Sequence, residues 1–142
     1  MIFLIENCKI EVIGLHEFFK QWFNAEIDNT DLNFSRLSNA IHEDFMLVMP
    51  NGNTTTKKEL LVQLREGYGS HKSDKLPYKL WIQNFECRLI EGNTCLVTYE
   101  EWREIEGRQN ARLSSAIFRK KEEAPNGVEW FHVHETLFPI KI

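Results

Sequence analysis

The residues best suited to chemistry stand near the end of the chain, in Trp130-Phe131-His132-Val133-His134-Glu135-Thr136. Read as a strand, this run sends Trp130, His132, His134 and Thr136 to one face and Phe131, Val133 and Leu137 to the other. Two imidazoles, an indole and a hydroxyl on one face suit a pocket wall. A neutral imidazole donates and accepts near neutral pH, so His132 and His134 have the chemistry of a ligand's hydrogen-bond partner or a general acid/base. A buried histidine satisfied by a backbone carbonyl is the structural alternative. Histidines at i and i+2 also share a face for a metal, but zinc needs further ligands, and His16, His42 and His71 stand at no ligand spacing. No metal is expected.

A second polar group surrounds Trp102: Glu100, Glu101, Arg103 and Glu104, followed by Arg112, Ser114 and Ser115. Strand alternation puts Tyr99, Glu101 and Arg103 on one face and Glu100 and Trp102 on the other, while Arg112, Ser114, Ala116 and Phe118 form one set. A polar start grading into an apolar end suits a pocket with a wet mouth and a dry base. Arg112 can grip a carboxylate ligand through two parallel hydrogen bonds, or pair across the sheet with a glutamate of the strand that begins at Thr94. Glu43 and Asp44 read as helix-end or solvated charges. There is no Gly-rich phosphate loop, nucleophile elbow, Cys/His dyad or dinucleotide fingerprint, so no cofactor is expected.

The elements that position these residues fall into two halves. From about Lys9 to Asp28, Val12, Leu15, Phe18, Phe19, Trp22 and Phe23 recur at helical spacing. Their aromatic stripe could clasp a flat ligand or pack as core against a sheet. A second helix is predicted over Asn33–Ile41 with Asp31 as cap, then a short strand over Phe45–Met49, stopped by Pro50 and Asn51-Gly52. Thr56-Lys57-Lys58-Glu59 has capping-box spacing and opens a third helix to about Glu66. After Tyr78 come four long strand-like segments, Tyr78–Ile90, Thr94–Glu106, Arg108–Glu122 and Val128–Phe138, separated by short turn signals that predict an antiparallel meander. Strands this long must curl. The expectation is one α+β domain over residues 1–142, with the helices packed on one concave sheet face.

Composition bounds the class. The 142 residues are enough for one core, and 42% apolar with 27% charged residues excludes disorder. A net charge of −4 argues against nucleic acid. The start Met1-Ile2-Phe3-Leu4-Ile5 is too short for a membrane span and lacks the basic lead of a secretory signal. A turn at Gly92-Asn93 sets Cys95 opposite Ile90 and Cys87 opposite Thr98, so no disulfide is expected, and a reduced, cytoplasmic protein is inferred.

Two passages carry a family resemblance. The run His42 to Gly52 followed by Lys58-Glu59-Leu60-Leu61 is similar to the acidic-strand-Pro-x-Gly-helix passage of the NTF2-like superfamily, and Gly127, Trp130 and His134 resemble its terminal G-x-W-x-x-x-H strand. The likeness is to the DUF4440, SnoaL-like and calcium/calmodulin-dependent kinase association-domain branch, over about Lys9 to Phe138. It implies a cone-shaped fold with a pocket between helices and sheet. It also implies a homodimer through the other sheet face, which would here carry Ile117, Phe131, Val133 and Leu137. His134 takes the family position after the tryptophan, which makes it the catalytic candidate. The resemblance departs at Met49, where related ketosteroid isomerases carry a carboxylate base, and at Ala116, where kinase association domains carry an arginine. The expected wall is Tyr99, Arg112, Ser114, Trp130, His132 and His134, holding a small to medium apolar ligand with a polar end. A cofactor-free cyclase or dehydratase using His134, and a purely structural dimer, are the alternatives.

Overall fold

The computed structural model describes residues 2–138, so the expected span of 1–142 extends past them at both ends. Three helices precede most of the sheet: α1 (Ile2–Phe23), α2 (Asp31–Ser38) and α3 (Lys57–Glu66). The strands are β1 (Ile41–Val48), β2 (Thr54–Thr56), β3 (Lys79–Glu91), β4 (Thr94–Ile105), β5 (Arg108–Lys120) and β6 (Val128–Leu137). They form one six-stranded sheet in the order β2-β1-β6-β5-β4-β3.

The meander β3 to β6 is antiparallel as expected. The sheet as a whole is mixed, because β1 lies parallel to β6. Periodicity along one segment carries no information about that pairing, which depends on where β1 docks after the helices have formed.

Local signals explain most element boundaries. Thr56 caps α3 with the full reciprocal capping box to Glu59. The cap of α2 is Thr30, whose side chain accepts from the Asn33 backbone N–H; Asp31 is the first helical residue instead. Helix α1 begins seven residues earlier than the periodicity suggests, at Ile2 rather than Lys9. Its first turns lack a continuous apolar stripe, since Phe3 and Ile10 are exposed while Cys8 is buried.

The core lies between the inner face of the sheet and α1. Cys8, Val12, Leu15, Phe18 and Trp22 supply the helix side, and Val97, Tyr99, Ala116, Phe118 and Trp130 the sheet side. The aromatic stripe is thus mainly core: Trp22 is fully buried, donates its indole N–H to the Leu64 carbonyl at 2.7 Å, and meets the Tyr68 ring edge-on. Register irregularities interrupt β3, β1 and β6 and break the ladder into differently aimed segments. The irregularity in β6 decides the site. Ile117 pairs with His132 and Phe118 with Trp130, which leaves Phe131 as the extra residue of a bulge.

Candidate functional site

Where α1 and the short helices meet the concave sheet, they leave a cleft of about 80 Å³. Leu15 and Phe19 of α1, Leu37 of α2, Phe45 and Leu47 of β1 and Leu60 of α3 make it apolar. Polar groups enter from His16, Tyr99, Glu101 and Glu135. Trp130 and Val133 complete the sheet side.

His16 lies on the buried stripe of α1, one residue after Leu15. Its Nδ1 is 2.7 Å from the Val12 carbonyl, so that nitrogen must donate. Its Nε2 is 3.0 Å from Glu101 Oε1, and both side chains are almost wholly enclosed. The second oxygen of Glu101 accepts from Arg103 at 3.0 Å. Burial opposes charge on both partners, but the mutual hydrogen bond and attraction, with help from Arg103, hold Glu101 below the usual carboxylate range. For His16, burial again acts against the charged form, and the Glu101 hydrogen bond and charge outweigh it to raise the pKa. With a carbonyl on one nitrogen and an ionised carboxylate on the other, His16 is an imidazolium donating from both.

Glu135 behaves oppositely. Burial pushes its pKa up, and the nearby charge of Glu101 pushes it further, while Arg112, which donates to Glu135 Oε1 at 2.8 Å, opposes the rise. Tyr99 is enclosed too; burial, then the charges of Glu101 and Glu135, raise its phenol well above the usual range, so it stays neutral and able to donate. Ser114 faces Tyr99 across the β4–β5 ladder, and its fully buried Oγ has no hydrogen-bond partner among the described residues.

Trp130 is anchored from behind. Its indole N–H donates to Glu11 Oε2 at 2.7 Å, and Glu11, with no exposed surface, also accepts from Arg36 at 3.0 Å and from Asn126 at 2.9 Å. One carboxylate thus ties α1, α2, the β5–β6 turn and β6 together at the edge of the cleft.

Four of the six residues expected in the wall face inward: Tyr99, Arg112, Ser114 and Trp130. His132 and His134 do not join them. The bulge at Phe131 inverts the alternation after Trp130, so Val133 and Glu135 point in, His132 sits half-buried on the outer face and His134 is exposed there. Neither histidine reaches the cleft, and the expectation of His134 as its acid/base group is corrected accordingly. Val133, expected on the outer dimer face, is buried for the same reason. Arg112 pairs across the sheet, but with Glu135 of β6 and not with a glutamate of β4.

The residues missed were His16, Glu135 and Glu11. His16 and Glu11 carried a readable signal, since both fall on the apolar stripe of α1, where a polar side chain must be buried and satisfied. Glu135 was hidden by the bulge. Among the described residues no three His, Cys, Asp or Glu side chains are grouped to hold a metal.

Comparison with known proteins gives the lineage. Residues 9–139 match the family described as sucrose-6-phosphate phosphohydrolase C-terminal. The chain belongs to that family. Among curated relatives, sucrose-phosphatase 1 of Nicotiana tabacum is 25% identical over 140 residues, covering 93% of this chain and 32% of that protein. Probable sucrose-phosphatase 2 of Arabidopsis thaliana is 21% identical over 126 residues, covering 89% and 29% respectively. The chain therefore spans about a third of these relatives. Among solved structures, an NTF2-like protein of unknown function from Pseudomonas aeruginosa superposes with a TM-score of 0.80 at 19% identity, covering 94% of this chain and 99% of that one. A CaMKII hub from S. rosetta gives 0.56 at 12% identity, covering 71% and 79%. The sucrose-6-phosphate phosphohydrolase C-terminal fold seen here is NTF2-like.

Proposed function

We propose that this domain binds a small, neutral ligand with an apolar body and a hydrogen-bonding end, and does so without hydrolysing phosphate esters in the cleft. The observation that carries this reading is the composition of the cleft's polar end. Glu101, Glu135, Tyr99 and His16 line it, whereas Arg103 and Arg112 stand outside the lining, each bound to one of those carboxylates. A phosphate there meets two carboxyl groups and no unpaired cation, since the His16 imidazolium is itself held by Glu101, and that is repulsive in a low-dielectric site. Size points the same way. Pockets for drug-sized ligands run to roughly 300 Å³ or more, and a cleft of about 80 Å³ is too small for a disaccharide. The sucrose chemistry named for the relatives thus belongs to the remaining two-thirds of those proteins in this reading, with this domain as an accessory.

Phenol and cyclohexanol are the probes of choice, with sucrose and inorganic phosphate beside them. Binding is followed by tryptophan fluorescence and by heteronuclear NMR shifts at Tyr99 and Trp130. Phenol and cyclohexanol should perturb those signals saturably and lose the effect in Leu15→Trp, which fills the cleft. No response to either, or a saturable response to sucrose, overturns the proposal.

A second reading is favoured by one observation: Glu101 and Glu135 share the cleft, yet their pKa values are pushed in opposite directions. That separation is the pattern of acid/base pairs in proton-transfer enzymes. Glu135 would then be the proton carrier, in the place expected for His134.

We also propose a homodimer through the outer sheet face. Leu89, Leu96 and Ile117 line a shallow groove there, and Leu113 is exposed on the same face. Ile117→Glu should convert a dimer to a monomer in sedimentation equilibrium; a wild-type monomer at micromolar concentration refutes this.

A further inference from the structure

The three cysteines meet at the end of the cone away from the cleft. Cys8 and Cys95 are buried between α1 and β4, and Cys87 of β3 is half-buried beside them. Turn arithmetic had Cys87 opposite Thr98. The structure instead pairs it with Val97, because Arg88 is an extra residue between the Cys87–Val97 and Leu89–Leu96 pairs. Cys87 and Cys95 remain diagonal, not directly opposed, yet the bulge brings their Sγ atoms to 3.3 Å. A disulfide needs roughly 2.05 Å, so closure asks each side chain to move well under 1 Å, at a place where the ladder is already broken.

We propose that Cys87 and Cys95 form a peroxide-responsive thiol pair. Cys87 is the residue an oxidant reaches, since Cys8 and Cys95 have no exposed surface. Its thiol attacks one oxygen of a hydroperoxide; the O–O bond breaks, water or an alcohol leaves with the proton, and sulfur is oxidised to a sulfenic acid. The Cys95 sulfur then attacks the Cys87 sulfur. The S–S bond forms, the S–O bond breaks, and the leaving hydroxide takes the Cys95 proton as water. Cys8 stays reduced. It lies on the buried face of α1 with no exposed surface for an oxidant to reach, and since burial raises the Cys8 and Cys95 thiols alike, it is the 3.3 Å approach of Cys95 to the accessible Cys87 that selects the pair. The product clamps the bulge at Arg88 and fixes the β3–β4 ribbon next to Leu89 of the outer groove.

The test uses the whole chain and hydrogen peroxide under native conditions, followed by denaturing alkylation and peptide mapping. The expected result is a fall from three alkylatable thiols to one, with a Cys87–Cys95 cross-linked peptide and recovery on adding dithiothreitol. In Cys95→Ala, Cys87 should stop at the sulfenic acid and be trapped by dimedone, whereas wild type is not. Cys87→Ser guards against loss of fold, since its side chain is half-buried; it should keep both remaining thiols after peroxide. Three free thiols in treated wild type, a Cys8–Cys95 peptide, or a bond only between chains overturns the proposal.

Discussion

Replacing Glu101 by Gln removes one charge from the centre of the site while keeping its volume. In the wild type the His16 and Glu101 side chains are only 6% and 7% exposed, so solvent screens the pair little. Gln can still accept one hydrogen bond, from His16 or Arg103 but not with the strength of a carboxylate. Breaking a buried ion pair costs about 3–5 kcal/mol, and the retained acceptor places this change near the lower end, at about 3 kcal/mol. A chain of this length has roughly 7–20 kcal/mol in all, so the variant should fold with a midpoint lower by about 10 °C. The loss depends on pH in a definite direction. His16 has a raised pKa, so its contribution is complete below the ordinary histidine value of 6.5 and fades as pH climbs through the raised one. Glu101 has a depressed pKa, so its contribution is complete above the ordinary 4.5 and fades as pH falls through the depressed value. The penalty is therefore greatest between about 4.5 and 6.5 and smaller at pH 9. In the variant, burial is left as the leading influence on His16, and the imidazole should titrate below 6.5 instead of above it. Imidazole NMR titration reads this directly, with urea unfolding at pH 6 and pH 9 beside it. A His16 titration unchanged by the substitution, or unfolding free energies within about 1 kcal/mol at pH 6, would refute the buried-pair reasoning.

Arg112→Met should lift the Glu135 pKa further. A raised carboxyl costs stability above its unfolded value of 4.5, so the variant should lose about 2 kcal/mol at pH 8 by urea unfolding and little at pH 4. Glu11→Leu strands the Arg36 charge and the Trp130 and Asn126 donors, and should cost about 3 kcal/mol by the same assay, with the tryptophan emission shifted. Adding Arg36→Leu to it should return part of that loss, so equal stability of the single and double variants is the contrary result. Thr56→Ala removes the capping box of α3 and should cost about 1 kcal/mol in thermal unfolding, with no change in phenol binding.

What could be read without coordinates was whatever depends on neighbours along the chain. The capping box at Thr56 and Glu59, the four long strands and their turns, the shared face of Tyr99, Glu101 and Arg103, and that of Arg112, Ser114 and Phe118 all follow from hydrogen bonds and side-chain periods that repeat locally. The two passages around Pro50 and Trp130 were enough to point to the NTF2-like fold. Tertiary structure decided the rest, because bulges and parallel pairing depend on strands distant in sequence. One extra residue at Phe131 exchanged His134 for Glu135 in the cleft, and one at Arg88 brought Cys87 to Cys95. A strand's faces have a period of two, so a single inserted residue inverts every assignment beyond it. Nothing in the residues flanking Phe131 or Arg88 announces that insertion; it is set by the pairing of β5 with β6 and of β3 with β4.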